Sequence, residues 1–349
     1  MVKFEKSYIT DCEGPLTLND NAYELCEHFI EDGGELFKIL SKYDDYLADV
    51  VKLPGYKAGN TLILILPFLV AAGVKNKDLV EFSKKNVSKV PGSDFLINYI
   101  KTAMNNYVVS TSYGQYIEAV ANNMNIPFAN TFYTEVDVDS LVPTDEDIVK
   151  IKEFKETILK HPENYILMDE IFFEKMSDLS FDDKLNELEV VGGVGKKLAI
   201  LKIIGQDEIS MFNILYIGDS ITDVESLKFA YSLGGLSISF NGNSYPLDAA
   251  SIAIVSPDAT ASALVASAYA NNPRDDVLTF VNRYNETDNL ESLFNEYNID
   301  DVVCEEFFKV FDDELPLIKV ITKENREEIL EKSVEMRKLI RGKNIGSLG

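Results

Sequence analysis

Short apolar runs that alternate with helical segments are the feature that most restricts the fold of this 349-residue chain. Strands are predicted at residues 7–10, 107–110, 130–136, 235–240 and 251–255, and in the strongly apolar run "FNILYIGDS". The stretches between them carry apolar residues at helical spacing. Strands that alternate with helices favour a mostly parallel sheet covered by helices on both faces. We therefore predict an α/β protein with a Rossmann-like parallel sheet.

Long helical stretches interrupt and extend this pattern. We expect the sheet domain to comprise residues 1–17, 91–136 and 190–270, with a helical cap inserted at 18–90 and a second helical insert at 137–189. Residues 271–349 are predicted to form a helical C-terminal extension. The most apolar run, residues 61–74, is too short to span a bilayer, which takes about 20 residues, and it contains Pro67. It is predicted to be a buried helix.

The charge balance and the rare residue types exclude several classes of function. Lys and Arg number 33 against 58 Asp and Glu, so the net charge of −25 would repel a nucleic acid. Cys12, Cys26 and Cys304 lack metal-ligand spacing and indicate a reducing compartment, and we expect a cytoplasmic protein without membrane insertion. His28 and His161 lie in charged helical segments, which leaves few candidates for a Ser-His or Cys-His pair.

Residues suited to phosphoryl chemistry fall at strand ends or helix starts. They are Asp11 and Glu13 in "TDCEG", Ser110 and Thr111 in "VVSTS", Lys197 in "GKKLAIL", and Asp219 and Asp223 in "GDSITD". The carboxyl ends of parallel strands converge on one edge, where such folds bind ligands. Clustered carboxylates repel one another unless a cation lies among them, and their oxygens suit Mg²⁺. We therefore predict a magnesium site that receives a phosphoryl group.

These four motifs, in this order, resemble those of the haloacid dehalogenase superfamily of aspartyl-phosphate enzymes. The resemblance covers about residues 7–256, and the block at 18–90 falls where that family inserts a cap. "GDSITD" after an apolar strand is the most specific of the motifs. More narrowly, the opening "TDCEGPLTLNDNAYE" and the added helices resemble the archaeal branch called energy-converting hydrogenase A subunit R.

The superfamily resemblance implies a role for each residue. Asp11 would be the nucleophile that forms an acyl phosphate, and Glu13 the general acid and base. Mg²⁺ would be held by Asp11, the backbone carbonyl of Glu13, Asp219 and Asp223. Ser110, Thr111 and Lys197 would bind the phosphoryl oxygens.

Two departures from the family pattern bear on activity. Glu13 replaces the usual Asp, which moves the carboxyl by about 1.5 Å, and an error of about 1 Å can cost about 10²-fold in rate. Pro15 replaces the usual Thr, although Thr17 lies nearby. Two functions follow: a phosphatase acting on a small phosphorylated metabolite, or an accessory protein of a hydrogenase complex that has lost turnover. Phosphotransfer to a second substrate is a third class, and a homo-oligomer is also compatible with the sequence.

Alternatives remain open at three positions. Ser110 could cap the following helix, and Asp223 could be a first-turn acid stabilised by the helix dipole. Lys196 competes with Lys197, which we prefer because Leu198, Ile200 and Leu201 would then form the buried face. "GGVGKK" lacks the earlier Gly and the Ser or Thr of a phosphate-binding P-loop, and a receiver domain has no acidic strand after its lysine.

Overall fold

A seven-stranded sheet forms the centre of the described chain, residues 4–207 and 209–347 of a computed structural model. The strand order is β3-β2-β1-β4-β5-β6-β7. All neighbours are parallel except β6 and β7, which pair antiparallel. The strands are β1 (Ser7–Thr10), β2 (Asn105–Tyr113), β3 (Thr131–Thr134), β4 (Ile214–Gly218), β5 (Leu236–Phe240), β6 (Ile252–Val255) and β7 (Leu317–Val320).

Helices fill most of the remaining described chain, and short 3-10 and π segments join some of them. They are α1 (Asn21–Phe29), α2 (Gly33–Asp45), α3 (Thr61–Ala71), α4 (Asn76–Lys85), α5 (Ser93–Ala103), α6 (Gly114–Asn123), α7 (Asp145–Lys160), α8 (Tyr165–Asp169), α9 (Asp182–Asn186), α10 (Val194–Asp207), α11 (Val224–Ser232), α12 (Ser244–Leu247), α13 (Thr260–Asn271), α14 (Arg274–Tyr284), α15 (Leu290–Glu296), α16 (Asp301–Val310) and α17 (Arg326–Ile345). The predicted α/β fold with a mostly parallel, Rossmann-like sheet is confirmed.

Helices cover both faces of the sheet. Successive side chains of its central strands point to opposite faces, so both sets of side chains are buried. On one face, Tyr8 joins a large core that includes residues of α5, α6 and α13. On the other, Ile9 joins a smaller core with residues of α10 and α11. Strands with two buried faces read as continuous apolar runs, which is why the sequence pattern located six of the seven strands.

The two inserted helical stretches share one hydrophobic core, which we call the insert core. It combines apolar side chains of α1–α4 with those of α7–α9, and Tyr113 at the end of β2 joins it. Helix α3 is mostly buried there despite Pro67, as predicted for residues 61–74. No helix in the described part of the chain is long and apolar enough to cross a membrane.

The prediction that residues 271–349 are helical throughout is wrong at β7. Leu317–Val320 adds an antiparallel edge strand, with Ile318 buried and paired to Ile254. A segment of four residues, three of them apolar, is too short for its periodicity to separate a strand from a helix. The final helix, α17, then packs Ile329 against Ala253 and Val255 of β6.

Candidate active site

Asp11 and Asp219 follow the neighbouring strands β1 and β4. Thr10 pairs with Ile217 in this ladder, and the backbone N–H of Asp11 donates to the Ile217 carbonyl at 2.9 Å. Both carboxylates are buried, and each has an oxygen within 4.8 Å of the other and of an Asp223 oxygen. The parallel register therefore brings two acids more than 200 positions apart in sequence to one edge of the sheet.

The turn after β1 requires glycine at position 14. Gly14 has a φ of +98°, and a Cβ atom built on it would lie 2.2 Å from Oδ2 of Asp219. No side chain fits there without moving the carboxylate. The motif glycine thus allows the loop after Asp11 to pass directly beside Asp219.

Lys196, and not the predicted Lys197, reaches this edge. Its buried Nζ lies 2.6 Å from Oδ2 of Asp11 and 2.8 Å from Oδ1 of Asp223. Burial opposes the charge on Lys196, but the two carboxylates outweigh it and raise the pKa of the ammonium above its ordinary value. Lys197 instead lies over the ring of Phe229, with Nζ 5.2 Å from the ring centroid.

Of the three residues predicted for the buried face of α10, one is buried and two are not. Ile200 is buried as predicted, whereas Leu198 and Leu201 are 54% and 40% exposed. Ile200 and Ile203 are fully buried against the sheet, and they lie four and seven positions after Lys196, on the same face of the helix.

Asp223 is saturated by protein donors. Its Oδ1 accepts hydrogen bonds from Lys196 and, at 2.7 Å, from the Tyr216 hydroxyl. Its Oδ2 accepts from the backbone N–H groups of Asp219 and Ser220 at 3.0 and 3.1 Å. A carboxylate has about four lone-pair sites, and these four donors use them. In this arrangement Asp223 holds Lys196 and the β4 loop in place, and a role as metal ligand stays a prediction.

Glu13 lies at the start of the inserted helices. Its Oε1 accepts a hydrogen bond from the N–H of Asn21, the first residue of α1, at 2.6 Å. Burial, and then the neighbouring Asp20, raise the pKa of the Glu13 carboxyl well above its ordinary value. Thr17 does not replace the missing motif hydroxyl, because its Oγ1 contacts the Cys12 carbonyl and accepts from Tyr116.

Ser110 and Thr111 lie within β2, which runs three residues beyond the predicted strand end. Ser110 accepts from the N–H of Ser112 at 3.2 Å, while α6 begins at Gly114 without a side-chain cap, so Ser110 is not the cap of that helix. Oγ1 of Thr111 is buried and has no hydrogen-bond partner among the described residues. An unpaired buried hydroxyl that lines a cavity is suited to bind a polar ligand.

Two arginines that the sequence reasoning missed contact Asp219. Arg337 and Arg341 project from successive turns of α17, and both guanidinium groups donate to Oδ2 of Asp219, Arg341 at 3.1 Å. Their side chains are 6% and 4% exposed. The clustering of basic residues near the end of the sequence was the one available signal, but it gives no position relative to the sheet.

A cavity of about 130 Å³ opens over these residues. Asp11, Ser110 and Thr111 line it from the sheet, and Phe37 and Leu62 line it from the inserted helices. The cavity has room for several water molecules, and so for a phosphoryl group. The inserted helices therefore line one side of an open cavity at the edge of the sheet where the acids meet.

The acidic groups around this cavity outnumber the basic ones. Burial raises the pKa of Asp11 above its ordinary value; Lys196 opposes this shift, and Asp223 and Asp219 add to it. Each Asp11 oxygen contacts one donor, Cys12 N–H or Lys196, and so keeps a lone pair. Oδ1 of Asp219 accepts no hydrogen bond from any residue in the described ranges. One or two carboxylates with water suffice for Mg²⁺, so Asp11 and Asp219 fit such an ion.

One solved structure is similar to nearly the whole chain. It is gene product AF1437 from Archaeoglobus fulgidus, with a TM-score of 0.82, 29% sequence identity and coverage of 99% of both chains. That protein therefore shares the sheet together with the inserted and added helices. No protein-family model matches the chain, and no curated protein matches it.

Two phosphoserine phosphatase structures are more distant. A phospho-aspartyl intermediate analogue has a TM-score of 0.48 and 17% identity, covering 73% of this chain and 96% of that one. A substrate-bound complex has a TM-score of 0.49 and 17% identity, covering 74% and 96%.

Proposed function

We propose that this protein is a Mg²⁺-dependent phosphatase of the haloacid dehalogenase type that acts on a small phosphorylated metabolite through an aspartyl-phosphate. The observation that carries the proposal is the convergence of Asp11, Asp219 and Lys196 at one buried edge of the sheet. Structural ion pairs also bury charge, but three carboxylates within 4.8 Å of one another beside an open cavity favour a binding site.

The chain's own groups can perform both halves of the hydrolysis. A carboxylate oxygen of Asp11 attacks phosphorus, the bond from phosphorus to the ester oxygen breaks, and Glu13 gives its proton to that oxygen. Glu13 then takes a proton from water, whose oxygen displaces Asp11 and releases phosphate. The raised pKa of Glu13 suits the first half, because a general acid must begin protonated.

The remaining residues hold charge and position. Ser110 and Thr111 would bind the phosphoryl oxygens, and Lys196 takes the role first assigned to Lys197. Asp11, Asp219 and the Glu13 carbonyl would hold Mg²⁺, which when bound supplies positive charge that offsets the carboxylates and the phosphoryl group. Asp223 positions Lys196.

Phosphate release from a panel of phosphomonoesters, with and without Mg²⁺, tests the proposal. Wild type should hydrolyse at least one ester only with Mg²⁺, and Asp11→Asn should lower the rate by about 10³-fold or more. Asp276→Asn, at an exposed position on α14, is the matched control and should retain the activity. Activity that survives Asp11→Asn in a folded protein would contradict the assignment of the nucleophile.

The second candidate is an accessory protein that keeps the fold without turnover, in a hydrogenase complex. Two contacts within the chain favour a loss of turnover: Glu13 is bound to the N–H of Asn21, and the arginines of α17 occupy Asp219. Glu13→Asp distinguishes the two functions. A silent wild type with activity gained in Glu13→Asp supports the accessory protein, and co-purification with membrane hydrogenase subunits would test its partner.

A further inference from the structure

The last helix, α17, supplies cations to a carboxylate that the proposed function assigns to a metal ion. Arg337 and Arg341 both donate to Oδ2 of Asp219, and Arg337 also donates to the Asp219 backbone carbonyl at 3.2 Å. Both side chains are almost fully buried. A divalent ion bound to Asp219 would therefore lie beside two guanidinium groups of like charge.

Other contacts of Arg341 fix α17 to the segment that follows β1. Its Nε donates to the carbonyl of Leu18 at 3.1 Å, and another guanidinium nitrogen donates to the carbonyl of Asn19. These carbonyls precede α1, the first inserted helix. One arginine thus connects the loop after β1, the loop after β4 and the entry to the inserted helices.

Beyond Arg341 the helix breaks and continues onto the insert core. Gly342 has non-helical torsion angles, φ 77° and ψ 162°. After this break, Asn344 accepts a hydrogen bond from Lys38 of α2 at 3.3 Å, and Ile345 packs against the insert core. The position of α17 is therefore coupled both to Asp219 and to the helices that line the other side of the cavity.

We propose that Arg337 and Arg341 compete with the divalent cation for Asp219, so that metal binding and the seating of α17 oppose each other. This inference rests on the proposed function, because it assumes that Asp219 is a metal ligand. It makes α17 a determinant of metal affinity: the arginines satisfy Oδ2 of Asp219 when no metal is bound, and a metal ion at Oδ1 of the same carboxylate has to bind against their positive charge.

Mn²⁺ binding, followed by the electron paramagnetic resonance of the free ion, tests this competition without any substrate. Mn²⁺ takes the same oxygen ligands as Mg²⁺. The double variant Arg337→Gln, Arg341→Gln should bind Mn²⁺ about 5–150-fold more tightly than wild type, the ordinary range for two coupled events. The double variant Lys332→Gln, Lys338→Gln removes the same two charges from exposed positions of the same helix and should leave the affinity unchanged.

Thermal unfolding with and without Mg²⁺ gives a second measurement for variants of low stability. Loss of the arginines leaves Asp219 buried without its partners, so the double variant should melt lower than wild type without metal. Mg²⁺ should then raise its melting temperature more than it raises that of wild type.

The outcomes separate this inference from the proposed function. Equal or weaker Mn²⁺ binding by the double variant, with an equal or smaller melting shift, overturns the competition. Such a result does not contradict the proposed phosphatase activity, because phosphate release is the test of that proposal. Absence of bound Mn²⁺ from both proteins overturns the competition and the metal site together.

Discussion

Replacement of Lys196 by Met, compared with the same change at Lys197, tests the electrostatic description of the site. Lys196 is fully buried between Asp11 and Asp223, at 2.6 and 2.8 Å. Removal of one member of a buried ion pair costs about 3–5 kcal/mol, because the partner stays buried and uncompensated. Here two carboxylates lose their partner, so the loss should lie toward the upper end of that range.

Lys197→Met is the matched control on the adjacent residue. Among the described residues, the interaction found for the ammonium group of half-buried Lys197 is with the face of Phe229 at 5.2 Å, and a cation–π contact contributes about 0.5–2 kcal/mol. The two variants should therefore differ by about 3 kcal/mol or more in the free energy of unfolding. Urea denaturation at neutral pH measures both values.

The pH dependence and a double variant identify the cause of the loss. Protonated carboxylates need no counter-charge, so the deficit of Lys196→Met should shrink as the pH falls. Asp11→Asn in the Lys196→Met background should recover part of the lost stability, since it removes one of the stranded charges. Equal losses for the two lysine variants, or a deficit that grows in acid, would refute the assignment of Lys196.

Three further predictions concern the turn, the inserted helices and the β4 loop. Gly14→Ala should abolish activity and lower the free energy of unfolding more than Gly55→Ala does. Both glycines have positive φ, which costs another residue about 1–3 kcal/mol, but of the two only a Cβ at position 14 meets Asp219. Unfolding experiments and phosphate release measure the two effects. Burial, then Asp44 and Asp49, raise the pKa of Asp45 to about 7, so this group's stabilisation is complete below its unfolded pKa near 4 and is lost as the pH rises through 7. Asp45→Asn should flatten the dependence of unfolding free energy on pH across that window. Asp223→Asn should impair catalysis with little change in Mn²⁺ affinity, whereas Asp219→Asn should abolish Mn²⁺ binding.

The strands of the sheet could be predicted because each buried strand is marked by its own apolar residues. A strand buried on both faces must be apolar along its length, so a run such as Ile214–Gly218 can be recognised in the sequence. The acids that follow such strands lie at one edge of the sheet because the strands are parallel. The edge strand Leu317–Val320 lacks this signal, since only Ile318 among its residues is buried.

The errors at the site arise where the answer depends on packing between distant segments. The choice between Lys196 and Lys197 turns on which face of α10 meets the sheet, and both faces are apolar in sequence. Arg337 and Arg341 lie more than 110 positions after Asp219, on a helix whose charged sequence resembles a solvated surface. The fold places α17 beside the end of β4, where both arginines contact Asp219, and this placement cannot be read from the sequence.

The arginines also change what the acidic edge requires. Clustered carboxylates predict a nearby cation, which can be either a metal ion or a lysine or arginine side chain of the protein. In this protein Asp223 is satisfied by Lys196, and Oδ2 of Asp219 is satisfied by α17, which leaves Asp11 and Oδ1 of Asp219 as the oxygens with remaining capacity. The fold can therefore be stable without metal while it keeps two ligands facing the cavity. Metal affinity then depends on how firmly α17 is held, and that links the last helix of the described chain to the chemistry proposed for the first strand.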